Sequence, residues 1–115
     1  MIKRMHHTGF VVRDLEKAVA FYRDAAGLEV LSSYERTGSS IEQVVGYERV
    51  HLKIAHLGAG GEHSLELIQY LSPPPDERPT GERSVIGGAH LALVVDDVDE
   101  ALRSMVDKGA VPLNP

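Results

Sequence analysis

Residues 7–12, HTGFVV, form a short run of mainly apolar and β-branched positions. The period then changes, and Leu15, Ala18, Val19 and Tyr22 recur at intervals of three and four residues. The first pattern predicts a strand, the second a helix whose apolar stripe turns inward. Asp14 stands where a helix N-cap accepts the first free amides, and Gly27 where the chain leaves the helix in a left-handed conformation. The same order returns 83 positions later. His90 falls on His7, Val94 on Val11, Val95 on Val12, Asp97 on Asp14 and Ala101 on Ala18, five identities in thirteen aligned positions. Residues 90–95 are therefore predicted as a second strand. Asp97 is predicted to cap a second helix, with Val98, Ala101, Leu102 and Met105 on its inner stripe and Gly109 at its stop.

Between the two copies, residues 28–35, 48–57 and 63–71 carry further strand patterns, and the GAGGE stretch from Gly58 to Glu62 is suited to a hairpin between the last two. The first copy thus reads as βαβββ. Residues 72–84, SPPPDERPTGERS, combine four prolines with charge and predict a linker. The expected organisation is one α+β domain over 1–115, with module one at 1–71, a linker at 72–86 and a partial module two at 87–115. The repeat leads us to expect a continuation of about 25 to 35 residues that carries an Asp or Glu on its last strand.

A chain of 115 residues can bury roughly 65% of the surface it exposes when unfolded. Its 43% apolar and 25% charged residues fit an ordinary globular domain. Twelve basic against seventeen acidic residues give a net charge of -5. No basic cluster is present to neutralise a run of phosphates, so nucleic acid and anionic membranes are not expected partners. The sequence has no cysteine, which excludes disulfides, thiolate ligands and thiol nucleophiles, and no apolar run is long enough to span a membrane. A cytoplasmic location is expected, and the start of the chain reads as mature structure rather than a signal peptide.

Strand alternation places His7, Gly9 and Val11 on one face, and His90, Ala92 and Val94 match them. If the two copies pack as a pseudo-symmetric pair, both imidazoles point into one concavity beside small neighbours. Glu66 shares a strand face with Ile68 and Tyr70 and is the candidate third group. Taken singly, a strand glutamate reads as solvent-facing and one histidine carries little information. A histidine repeated at the start of an apolar strand, with one inward-compatible carboxylate between the copies, points to a divalent metal held by His7, Glu66 and His90. His6, His51, His56 and His63 are assigned no role, and Glu42 and Glu48 are read as surface residues. Gly58, Gly60 and Gly61 join two strands rather than opening a helix, so they make no phosphate loop.

The stretches HHTGFVVRDLEKAVAFYRDAAGLEV, HSLELIQYLSP and AHLALVVDDVDEAL together resemble the vicinal oxygen chelate superfamily. That superfamily includes glyoxalase I, methylmalonyl-CoA epimerase, extradiol dioxygenases, and fosfomycin- and bleomycin-resistance proteins. The resemblance implies paired βαβββ modules forming a curled mixed sheet around a central pocket, the second module being incomplete in this sequence. Carried over, the metal ligands are His7, Glu66 and His90. The family's fourth ligand, a carboxylate on the last strand of module two, has no counterpart here. The mixed nitrogen and oxygen donor set suits Zn, Ni, Co, Fe or Mn. The implied activity is that of a metal-dependent isomerase or lyase of the glyoxalase or epimerase type. It would act on a small oxygen-chelating substrate through a metal-stabilised enolate, with Glu66 as ligand and base. The alternatives on the same fold are a metal-free small-molecule binding protein of the bleomycin-resistance type, a dioxygenase or a thiol transferase. A small-molecule substrate and a homodimer are the implied partners.

Overall fold

The computed structural model describes residues 1–78 and 81–113. Residues 79 and 80 of the predicted linker, and 114 and 115 at the end of the second module, lie outside the described residues. Strand β1 is His7–Val11, helix α1 Leu15–Asp24, strand β2 Glu29–Thr37, helix α2 Ser39–Val45, strand β3 His51–Gly58, strand β4 Ser64–Ser72 and helix α3 Val98–Asp107. The four strands form one open mixed sheet in the order β1-β4-β3-β2. β1 runs parallel to β4, while β3 is antiparallel to both its neighbours.

Helix α1 starts where its capping chemistry requires. The Asp14 side chain accepts a hydrogen bond from the Lys17 amide at 3.1 Å, satisfying one of the free N–H groups of the first turn. Beyond its end Gly27 takes φ +73°, a conformation open to glycine at no steric cost. The stripe of α1 packs on one face of the sheet: Leu15 joins Leu28, Ala55, Leu57, Leu65 and Leu67 in a buried cluster, with Ala18, Val19 and Tyr22 against it. The opposite face carries a second cluster of Ile41, Val50, Leu52 and Ile54, backed by Val45, Ile68 and Tyr70. Helix α2, which the sequence reading leaves unassigned, supplies Ile41 and Val45 to that cluster and so covers one end of the second face. Glycines bound it on both sides, with Gly46 left-handed at its C-cap.

The second copy keeps its helix but not its strand. Asp97 accepts from the Glu100 amide at 2.9 Å and α3 forms, yet residues 90–95 adopt no strand. A strand exists only as part of a hydrogen-bonded ladder; β1 is the edge of the sheet, with β4 as its partner among the described residues, and residues 90–95 do not pair with its open edge. Leu91 instead packs against the α1-side cluster. Helix α3 buries no residue, and its stripe positions Val98 and Leu102 remain 71% and 47% exposed.

Candidate functional site

The face of the sheet away from α1 is covered by α2 only at one end, and the uncovered end carries the chemistry. Glu66 lies on β4 directly opposite His56 of β3 and beside Gly9 of β1. Alternation along β1 places His7 on that same face, two residues from Gly9. The four strands thus bring one carboxylate and two imidazoles together, although β1 and β4 are more than fifty positions apart in sequence.

Glu66 is the centre of this group. Its side chain is only 15% exposed, and its ion-pair partners among the described residues are both imidazoles: Oε2 stands 3.0 Å from His56 Nε2 and 3.6 Å from His7 Nε2. His56, 14% exposed, is gripped in turn by two hydroxyls. Tyr34 Oη is 3.1 Å from its Nε2 and Ser64 Oγ 3.4 Å from its Nδ1. The Tyr34 ring also stacks on the imidazole, with 15° between planes. The hydrogen-bond partners of His56 are thus the Tyr34 and Ser64 hydroxyls, and Glu66 Oε2 meets the same Nε2 as a close polar contact. His7 is more exposed, its ring edge-on to that of His56, and its Nδ1 lies 2.7 Å from His6 Nδ1.

Gly9 closes the site from the β1 side. A Cβ built there would stand 3.2 Å from Glu66 Oε1 and 3.6 Å from Ile68 Cδ1. The small residue is what lets the carboxylate lie flat against β1. Further along the same face is a cleft of about 460 Å³ lined by Val11, Tyr47, Tyr70, Pro73, Pro75 and Asp76. Tyr47 and Tyr70 meet edge to face there, and burial raises the Tyr70 hydroxyl above its ordinary pKa. Tyr70 lies four positions beyond Glu66 on β4, about 13 Å at the usual strand rise.

Of the three residues expected from sequence, the structure brings His7 and Glu66 together and leaves His90 exposed, in a segment without strand pairing. Among the described residues, no group of three or more His, Asp or Glu side chains is arranged to hold a metal ion. The donor chemistry of His7 Nε2 and Glu66 Oε2, 3.6 Å apart, nevertheless fits two corners of one coordination sphere with bonds near 2.1 Å. His56 is the residue that sequence reasoning missed. Its signal was present in the hairpin: residues 56 and 66 lie five positions on either side of Gly61, so closure of the glycine-rich turn sets them opposite each other. His51 faces the other way and pairs with Glu35 at 2.8 Å, while His63 bonds Thr8 at 2.8 Å.

Comparison with known proteins places this geometry in context. Residues 6–114 match the Glyoxalase/Bleomycin resistance protein/Dioxygenase superfamily. The chain is 30% identical over 109 residues to the uncharacterised protein YwkD of Bacillus subtilis (strain 168), an alignment covering 95% of this chain and 74% of that protein. It is 32% identical over 100 residues to a 2-epi-5-epi-valiolone epimerase of an Actinomyces species, covering 84% of this chain and 54% of the epimerase. The crystal structure of a glyoxalase family protein from Bacillus cereus superposes with a TM-score of 0.79 at 22% identity, over 95% of this chain and 74% of that one. The chain therefore spans between about half and three quarters of the length of these relatives, and the last comparison concerns the fold. Among the described residues no helix is long and apolar enough to cross a membrane.

Proposed function

Because the chain belongs to the glyoxalase/bleomycin resistance protein/dioxygenase superfamily, we propose that it is a metal-dependent isomerase or lyase of the glyoxalase or epimerase kind. It moves a proton on the carbon beside a carbonyl of a small oxygen-chelating substrate. The observation that carries the reading is Glu66: a mostly buried carboxylate between Leu65 and Leu67 on β4, facing two imidazoles. A buried carboxylate without compensation costs several kcal/mol, in the range of about 2 to 5. A divalent cation between it and His7 offsets that cost.

In this reading His7 and Glu66 hold the ion, and His90 of the second repeat is the third protein donor. The ion, when bound, withdraws electron density from the substrate's oxygens and so acidifies the neighbouring C–H. The protein supplies the rest. Glu66 stands over the open face, where its carboxylate can accept a proton from a carbon placed beside it. His56 stands against one oxygen of that carboxylate, which limits the directions from which a proton reaches it. The cleft at Tyr47 and Tyr70 lies along the same face and receives the part of the substrate remote from the reacting carbon. A cytoplasmic homodimer belongs to the same proposal.

The cleft also favours a second reading, in which this face holds a metabolite or drug without turnover. Metal analysis of protein purified without chelator, followed by solvent-deuterium exchange, separates the two. The substrates are the hemithioacetals of methylglyoxal and, following the epimerase relative, 2-epi-5-epi-valiolone. Metal-dependent incorporation of deuterium at the carbon beside the carbonyl, lost in Glu66→Gln, supports the enzyme. Binding of these compounds with no exchange at any metal loading refutes it.

A further inference from the structure

We infer that His56 is a positioning residue for Glu66, and that Tyr34 and Ser64 hold it in that role. The inference rests on the reading above only in what it says of the cation. The clamp itself is a property of this chain's own side chains.

The argument is geometric. A glutamate side chain on a strand has three rotatable bonds and, at an open face, several accessible rotamers. Here Glu66 is confined from both sides. On one side is Gly9, close enough that even a methyl group there would stand 3.2 Å from Oε1. On the other is the His56 imidazole, its Nε2 3.0 Å from Oε2. His56 is itself fixed, since both ring nitrogens are engaged and its face is covered by the Tyr34 ring. Tyr34, His56 and Glu66 come from β2, β3 and β4, so the rigidity of the sheet is transmitted to one carboxylate. The outcome is that Oε2 faces His7 before any ligand arrives.

His56 therefore acts through Glu66 and not on the cation: its Nε2 lies between Glu66 Oε2 and Tyr34 Oη, and the imidazole that faces the same oxygen from β1 is that of His7. Outer partners of this kind commonly change metal affinity by about 10- to 100-fold when removed. Glutamine can present an amide nitrogen close to the position of the imidazole Nε2, so it should restore most of what alanine loses.

Two measurements on the full chain test this. The first needs no metal: the side-chain carboxyl ¹³C resonance of Glu66, at one fixed pH in metal-free protein. We expect it to move toward the value of an exposed glutamate in His56→Ala and to stay near wild type in His56→Gln. An unchanged resonance in His56→Ala overturns the inference. The second is Co²⁺ titration with calorimetry, alongside ¹⁵N spectra of the histidine rings. The expected results are binding weakened about 10- to 100-fold in His56→Ala, recovery to within a few-fold in His56→Gln, a smaller loss in Tyr34→Phe, and a His56 ring that stays unligated. A His56 ring nitrogen bound to cobalt, or equal losses in the alanine and glutamine variants, also overturns it. Should wild-type protein take up no Co²⁺, the proposed function fails, while the carboxyl resonance still decides whether His56 positions Glu66.

Discussion

Alanine at Gly9 is the most direct probe of how tightly the site is built. The added Cβ would stand 3.2 Å from Glu66 Oε1, with Ile68 Cδ1 at 3.6 Å and Glu66 Cβ at 3.9 Å. Only the first of these is closer than ordinary contact, so the conflict lies with the carboxylate, which must yield by a few tenths of an ångström. Displaced from β1, it is pressed toward His56, whose Nε2 already stands 3.0 Å from Oε2. Overpacking by one methyl typically costs about 1 to 3 kcal/mol. Against this stands a gain of about 0.4 to 1 kcal/mol from a less flexible unfolded chain, because Gly9 has no left-handed backbone that alanine would strain. The net expectation for Gly9→Ala is a loss of about 1 kcal/mol. In a Glu66→Ala background the conflict is gone, and the same substitution should be neutral or stabilising by about 0.5 kcal/mol. A double-mutant cycle by urea denaturation then reads a coupling of about 1.5 kcal/mol. If Gly9→Ala costs the same in both backgrounds, the close approach of the carboxylate to β1 is not what the glycine serves, and the clamp described above loses one of its two jaws.

Four further outcomes follow from the packing and the site. Leu67 is fully buried beneath α1, so Leu67→Ala should cost about 2 to 5 kcal/mol in denaturant unfolding. Asp14→Ala removes the cap of a packed helix and should cost about 1 kcal/mol of global stability. Asp97→Ala removes the same cap from a helix that buries nothing, so it should leave the unfolding midpoint almost unchanged while accelerating amide exchange over 98–107. Glu66→Gln keeps the size and hydrogen-bonding shape of the side chain but removes its charge, and should weaken Co²⁺ uptake by at least about tenfold in a calorimetric titration.

The parts of this molecule legible in its sequence are those decided within a few residues. Asp14, the stripe at Leu15, Ala18, Val19 and Tyr22, and Gly27 define α1 almost without reference to the rest of the chain, and the structure has that helix with that cap. The turn at 58–62 and the strands on either side of it were readable for the same reason. Helix α2 was not, because at seven residues it is too short to establish a period, and its glycines resemble those of a loop. Its formation is settled by Ile41 and Val45 finding Leu52 and Ile54 across the sheet face. His56 escaped notice because its role depends on register. Nothing local to HLKIAHL distinguishes it from His51, and only the pairing across the hairpin sets one against Glu66 and the other against Glu35.

The internal repeat separates the two kinds of information within a single chain. Both copies carry the aspartate cap and the apolar stripe, and both make a helix of ten residues, although only one of those helices is packed. Helix formation here follows from groups that lie within four residues of one another. Both copies also carry a histidine followed by an apolar run, yet only the first becomes a strand, because only the first lies beside another strand, β4, with free backbone groups in register. The contrast bears directly on function. His7 faces Glu66 because β1 is locked into the sheet, and His90, with an equivalent local sequence, is exposed because residues 90–95 are not. Whatever pairs residues 90–95 into a sheet would therefore also determine where His90 points, so recruitment of that histidine to the site and formation of the second strand are one structural event.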